Sequence, residues 1–107
     1  MTTGNQYYRV GALIVSGFEW DPAKAERNLE KHDIVFEAAI ELFRDRNRTQ
    51  QEPPQERQGE LRWKTVGLVD DDLTTVIYTR RRDQIRIISA RKASRYERRE
   101  YRSRAVV

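Results

Sequence analysis

Glu60 and Arg62 are the first residues in this sequence whose types and spacing suit chemistry. They lie two apart in a stretch that alternates like a strand, so they share one face while Leu61 and Trp63 share the other. A carboxylate beside a guanidinium can activate a hydroxyl and grip a phosphate, and it can equally be a solvated ion pair. The run Arg80-Arg81-Arg82, with Arg86 and Arg91 downstream, adds forked donors matched to phosphoryl oxygens. His32 is the one histidine, the residue type best suited to proton exchange at neutral pH, although a helix C-terminus also favours it structurally. Lys24 falls in a first helical turn, where the dipole does not favour a cation; it is either a charge stabiliser or a solubilising residue. Arg91, Arg95, Arg98 and Arg102, spaced four, three and four, fall along one side of a helical wheel.

RNA cleavage asks for little more than this set. The adjacent 2′-hydroxyl is a built-in nucleophile. The protein must take its proton, stabilise added charge on the phosphate, and see the leaving 5′-oxygen protonated. Other chemistries lack their parts. Cysteine is absent, which excludes thiol nucleophiles, disulfides and Cys-ligated zinc. There is no Gly-rich phosphate loop, HExxH, EF-hand spacing or nucleophile elbow, so no cofactor and no metal are expected.

The chain has 107 residues, room for one domain, with 37% apolar and 36% charged residues. Its net charge of +4 is unevenly distributed: residues 1–75 hold 10 Lys/Arg against 14 Asp/Glu, and residues 76–107 hold 11 against 3. Such a one-sided field attracts a polyanion, whether nucleic acid or an acidic protein segment. The longest apolar run, Ala12-Leu13-Ile14-Val15, is far short of the roughly 20 residues of a membrane span. With no signal-peptide pattern either, a cytoplasmic protein without a membrane partner is expected.

The positioning elements follow from pattern. Residues 1–12 read as a flexible extension before a single domain over 13–103. Gly11 to Trp20 reads as a first strand, and Asp21-Pro22 as a helix start, with Asp as cap and Pro at the first position. That helix should run to His32, with Ala25, Leu29 and His32 as its inner stripe and Asn28 beside it. Phe36, Ala39, Ile40 and Phe43 mark a second short helix. Residues 44–59 hold two prolines, four glutamines and no large apolar side chain, which predicts a mobile arm or one engaged by a ligand. Strands are expected at Glu60–Val69, Leu73–Thr79 and Gln84–Ala90, joined by short hairpins, with Ile85, Ile87 and Ser89 alternating against Arg86, Ile88 and Ala90. A basic helix from Lys92 to Ser103 closes the chain, with only Ala93, Tyr96 and Tyr101 to bury. The fold class is α+β, a small antiparallel sheet packed with short helices.

Assembled in order, these residues resemble the BrnT family of type II toxins, whose fold is RelE-like. The resemblance runs over about residues 18–101. It is carried by Phe18-Glu19-Trp20-Asp21-Pro22-Ala23-Lys24-Ala25, by Asn28, Lys31 and His32, by Phe36-Glu37-Ala38-Ala39, Phe43 and Asp45, and by Glu60, Arg62, Gly67 and Tyr78-Thr79. Its most specific part is Arg86-Ile87-Ile88-Ser89-Ala90-Arg91-Lys92-Ala93, followed by Glu97-Arg98 and Tyr101. The resemblance implies a metal-independent endoribonuclease that cuts RNA, free or ribosome-associated, and inhibits translation. It implies a cognate BrnA-like antitoxin that reaches operator DNA. It also implies functional roles for Lys24, His32, Glu60, Arg62 and Arg81, RNA contact by Arg80, Arg82, Arg86 and Arg91, and antitoxin contact by Arg95, Arg98 and Arg102. Three positions depart from the family pattern: Asp33 and Arg82 stand where glycine is usual, and Val35 stands where a capping side chain is usual. A non-catalytic basic module in a toxin-like fold is the competing reading.

Overall fold

A computed structural model of the chain describes residues 8–10 and 13–104. In order these form β1 (Tyr8–Val10), β2 (Leu13–Val15), β3 (Gly17–Glu19), α1 (Pro22–His32), α2 (Phe36–Ala39), a 3₁₀ turn (Ile40–Arg44), β4 (Thr49–Gln50), β5 (Gln55–Arg57), β6 (Glu60–Val69), β7 (Asp72–Arg81), β8 (Gln84–Lys92) and α3 (Arg95–Arg104). Apart from Tyr8–Val10, the expected N-terminal extension lies outside the described residues.

Two tight turns organise the sheet. Asp70 and Asp71, at φ 50° and 67°, join β6 to β7, and Arg82, at φ 58°, joins β7 to β8. Left-handed backbone at two successive residues matches the twist of a two-residue hairpin, and aspartate tolerates it better than most side chains. The sheet order is β3-β8-β7-β6-β4, with β5 also on β6. It is mixed rather than wholly antiparallel, because β3 runs parallel to β8, pairing Glu19 with Arg86. The expected single strand from Gly11 to Trp20 is accordingly divided: Leu13–Val15 forms a hairpin with Tyr8–Val10, and Gly17–Glu19 joins the main sheet. Ser16 sits at the break, its N–H donating to the Asp83 carbonyl at 2.7 Å.

One sheet face carries the main core. Trp63, Val76, Tyr78, Ile85, Ile87 and Ala90 meet Phe36, Ala39, Leu42 and Phe43 there. Burial falls on Phe36, Ala39 and Leu42, a spacing of three, because the second helix tightens into a 3₁₀ turn after one α turn. α1 starts as the sequence predicts, with the Asp21 side chain accepting from Ala23 N–H and Pro22 following. It ends at Asp33, which adopts the left-handed conformation at φ 59° usually left to glycine. Val35 precedes α2 without capping it.

The inner stripe of α1 differs from expectation. Leu29 is 41% exposed, and Asn28 takes the buried place. Its amide donates to Ala90 O at 2.9 Å and Ile34 O at 3.1 Å, and its carbonyl accepts from Ala90 N–H at 3.0 Å. A polar residue wins this site because it pairs backbone groups of β8 that a leucine would strand.

The alternation in β8 also fails at one point. Ile77 pairs with Ser89 and Tyr78 with Ile87, so Ile88 is the extra residue of a β-bulge. The bulge shifts the phase, which puts Ala90 in the core beside Ile87 and leaves Ile88 half-buried on the other face. Residues 44–59 are not structureless either. Thr49 and Gln50 pair with Val66 and Thr65, and Gln55–Arg57 pair with Arg62–Glu60 across the Gln58-Gly59 turn. Asp45 pins the start of this segment: its carboxylate accepts from Leu68 N–H at 3.0 Å and from the Tyr101 hydroxyl at 2.7 Å.

Gly67 lies beneath that junction. A Cβ there would stand 3.0 Å from Leu42 Cγ and 3.2 Å from Asp45 Oδ2. Leu42 is fully buried, and Arg48 Cβ stands 3.2 Å from the added Cβ. Gly67→Ala is expected to cost about 1–3 kcal/mol by overpacking, read as a lower midpoint in urea unfolding at unchanged slope.

Candidate active site

The second sheet face is built from the residues that alternate with the core. Reading across the strands, Lys64 lies beside Ile77 and Ser89, Thr79 beside Arg86, and Arg81 beside Gln84, with Glu60 bonded to the Arg81 guanidinium. β5 extends this face beyond β6, pairing Arg57 with Glu60 and Gln55 with Arg62. α3 packs over the far end of this face, through Val66, Leu73, Ala93 and Tyr101. The near end stays open.

Glu60 is the centre of the open end. Its Oε2 accepts from Arg81 Nη2 at 3.2 Å, and its Oε1 lies 3.5 Å from Arg62 Nε. The Arg81 hydrogen bond, with the charges of Arg81 and Arg62, holds the Glu60 carboxyl below its ordinary range against slight desolvation. All three side chains remain partly accessible. Arg57 opposite Glu60 and Lys64 two residues beyond Arg62 add positive charge to the same face. Sequence reasoning missed both. The signal available was the closing pair of the Gln58-Gly59 hairpin, which forces Arg57 to face Glu60.

The remaining expected residues scatter. Lys24 and His32 are on α1, which docks along β8 through the bonds of Asn28 to the Ala90 backbone and packs Ala25 against the core; neither is among the partners of Glu60. Arg80 points to the core-bearing face, where its guanidinium stacks 4.2 Å from the Trp63 ring centroid. Arg82 is exposed at the turn. Arg86 stays on the open face and pairs with Glu19 at 3.3 Å. Arg91 belongs to β8 rather than to the helical stripe and makes a two-pronged ion pair with Glu97, at 2.8 and 2.9 Å. Arg95, Arg98 and Arg102 lie with Arg99 along one open side of α3.

Glu97 is a third residue the sequence reasoning missed. Tyr96, expected to be buried, is 65% exposed, and Glu97 is buried in its place. Its carboxylate also accepts from the Thr75 hydroxyl and from Ser94 N–H, each at 2.8 Å, and lies 3.1 Å from Lys64 Nζ. Ser94 Oγ in turn accepts from Glu97 N–H at 3.2 Å, a capping box legible as Ser-x-x-Glu. Desolvation pushes this carboxyl up, but the hydrogen bonds from Arg91, Ser94, Thr75 and Lys64 outweigh it and hold the group far below the carboxylate range.

Among the described residues there is no group of His, Cys, Asp or Glu that could hold a metal ion, and no helix long and apolar enough to cross a membrane. A protein-family model described as the ribonuclease toxin, BrnT, of type II toxin–antitoxin systems matches residues 20–97. No curated protein matches the chain significantly.

The Glu97 network makes acid stability testable. A carboxyl with a depressed folded value contributes its full stabilisation above its unfolded value, near 4.3. That contribution shrinks as pH falls below this point and is gone beneath the folded value. Thermal midpoints should therefore drop steeply below about pH 4.3, and Glu97→Gln should start lower and show a shallower acid slope. Equal acid slopes for the two proteins would refute this role.

Proposed function

Because the chain belongs to the BrnT family of ribonuclease toxins of type II toxin–antitoxin systems, we propose that it cuts RNA on the open sheet face, at Glu60, Arg62 and Arg81. The observation that carries this reading is the carboxylate of Glu60 held between two accessible guanidinium groups on an unroofed face. Arg62 and Arg81 bind the scissile phosphate and spread the charge of its pentavalent state. Glu60, ionised in the free protein, accepts the 2′-hydroxyl proton as that oxygen attacks phosphorus. The products are a 2′,3′-cyclic phosphate and a 5′-hydroxyl, with no divalent ion required.

The arginines couple binding to basicity. In the free protein they stabilise the Glu60 carboxylate. When a phosphate draws them away, Glu60 loses that stabilisation and binds a proton more readily at the moment of attack. His32 is given no part in this step, since it is not among the partners of Glu60, and the leaving oxygen takes its proton from water in the open groove.

Metal-free protein incubated with a defined RNA in EDTA, alone and with ribosomes, is expected to give cyclic-phosphate ends by mass spectrometry. Glu60→Gln and Arg62→Ala should each lower the rate by about 10²–10⁴-fold, while His32→Ala stays near the parent. Full cleavage by Arg62→Ala would overturn the site. The pH profile offers a second check. The acid limb of kcat/KM reports the free protein and should lie below the usual glutamate range, and the limb of kcat should lie higher than that of kcat/KM, where the phosphate holds the arginines.

A type II toxin has a cognate antitoxin. The basic side of α3 that carries Arg95, Arg98 and Arg102 is open to solvent and suits an acidic antitoxin segment. Through that antitoxin the pair would reach operator DNA. Arg95→Glu with Arg102→Glu should weaken antitoxin binding, mainly by slowing association at low salt, and leave RNA cleavage intact.

A further inference from the structure

Beside Arg62 the open face sinks into a depression of about 340 Å³ that the cleavage chemistry leaves unused. Its lining includes Ile77 and Ile88, both half-buried, with Gln51 and Gln55 exposed along one side. We propose that this depression holds a single base of the RNA strand and reads its edge. The proposal rests on the assignment of RNA to this face.

Four observations converge on that occupant. The volume is at the small end of ligand sites, which suits one planar heterocycle rather than a folded peptide. The isoleucines give an apolar patch in an otherwise charged surface, and the bulge is what places Ile88 there. A base covers such a patch with its ring and removes it from water, and this contact favours no sequence. The glutamine amides carry both donors and acceptors, which discriminate one base edge from another. They are set by backbone pairing: Gln51 N–H donates to Lys64 O at 2.8 Å, and Gln55 is in register with Arg62. Finally, Arg57 and Arg62 line the same depression, so phosphates beside the base meet cations; Lys64 lines it too, with its charge paired to Glu97.

Arg62 lines the depression and also borders Glu60, so the base it holds belongs to a nucleotide next to the cut. Residues 44–59, whose composition offered nothing to a core, thus supply the discriminating wall. An acidic peptide would find cations at the rim but no use for the apolar floor.

The test uses the full chain and short fluorescent 2′-O-methyl RNAs, which cannot be cleaved, with an abasic nucleotide at each position in turn. The parent should lose roughly tenfold in affinity, or more, at one position. Gln51→Ala with Gln55→Ala should keep that sensitivity and lose the preference among the four bases there. Both residues are exposed, so this variant should melt like the parent. Ile88→Ser should blunt the sensitivity itself. Equal affinity across the abasic series, or an unchanged base preference in the glutamine variant, overturns the base site while leaving RNA on this face. Undiminished binding of every RNA by Arg62→Ala, or no RNA binding by the parent, overturns the underlying assignment as well. Displacement of RNA by an acidic peptide but not by free nucleosides also counts against the base site.

Discussion

The arrangement depends on one buried carboxylate. α3 is rich in arginine and buries only Tyr101 and Glu97, with Ala93 just before it, too little apolar surface to hold a helix by itself. Glu97 supplies the rest, binding Arg91 and Thr75 of the sheet, Lys64 of β6, and the helix's own first turn through Ser94. Such a group is costly to bury alone and is tolerated because every oxygen is engaged. By fixing α3 over one end of the sheet face, it determines which end remains open. The candidate active site is the part of the face that this helix does not cover.

The same pairing sorts the arginines. Counted along the chain, the C-terminal third looks like one continuous phosphate-binding surface. In three dimensions the pleat sends Arg80 and Arg81 to opposite faces, Arg91 is held by Glu97, and Arg86 shares its charge with Glu19. Net charge sets the long-range field that draws a polyanion in. The short-range chemistry belongs to the few guanidinium groups whose partner can be exchanged for a phosphate. Arg81 and Arg62 meet that condition, since Glu60 is accessible and holds them at 3.2 and 3.5 Å.

Local signals in the sequence were legible where a residue answers to its neighbours. The Asp21-Pro22 start and the long strand β6 both follow from short-range rules. So does the shared face of Glu60 and Arg62, which needs only a period of two. What was not legible depends on distant partners. Asn28 outcompetes Leu29 for the interior because Ala90, far along the chain, needs its amide. Residues 44–59 gain structure from the free edge of β6 rather than from their own composition. His32 and Glu60 look like a proton-transfer pair in a list of residue types, yet the partners Glu60 finds are Arg62 and, brought over by strand pairing, Arg81.

The departures from the family pattern bear on turns rather than on the site. Asp33 and Arg82 both adopt positive φ without glycine, at a cost of order 1 kcal/mol each for a side chain in that region. Arg82 directly follows Arg81, so a turn distorted by its side chain would have been expressed first in the Arg81 contact. Yet Arg81 still reaches Glu60, and the β7–β8 register runs unbroken from Arg81 opposite Gln84 up to the bulge at Ile88. The strain is confined to the turn because paired strands on both sides fix its ends. Replacing glycine there costs stability without moving the guanidinium that matters, so the chain keeps the geometry on which the proposed cleavage depends.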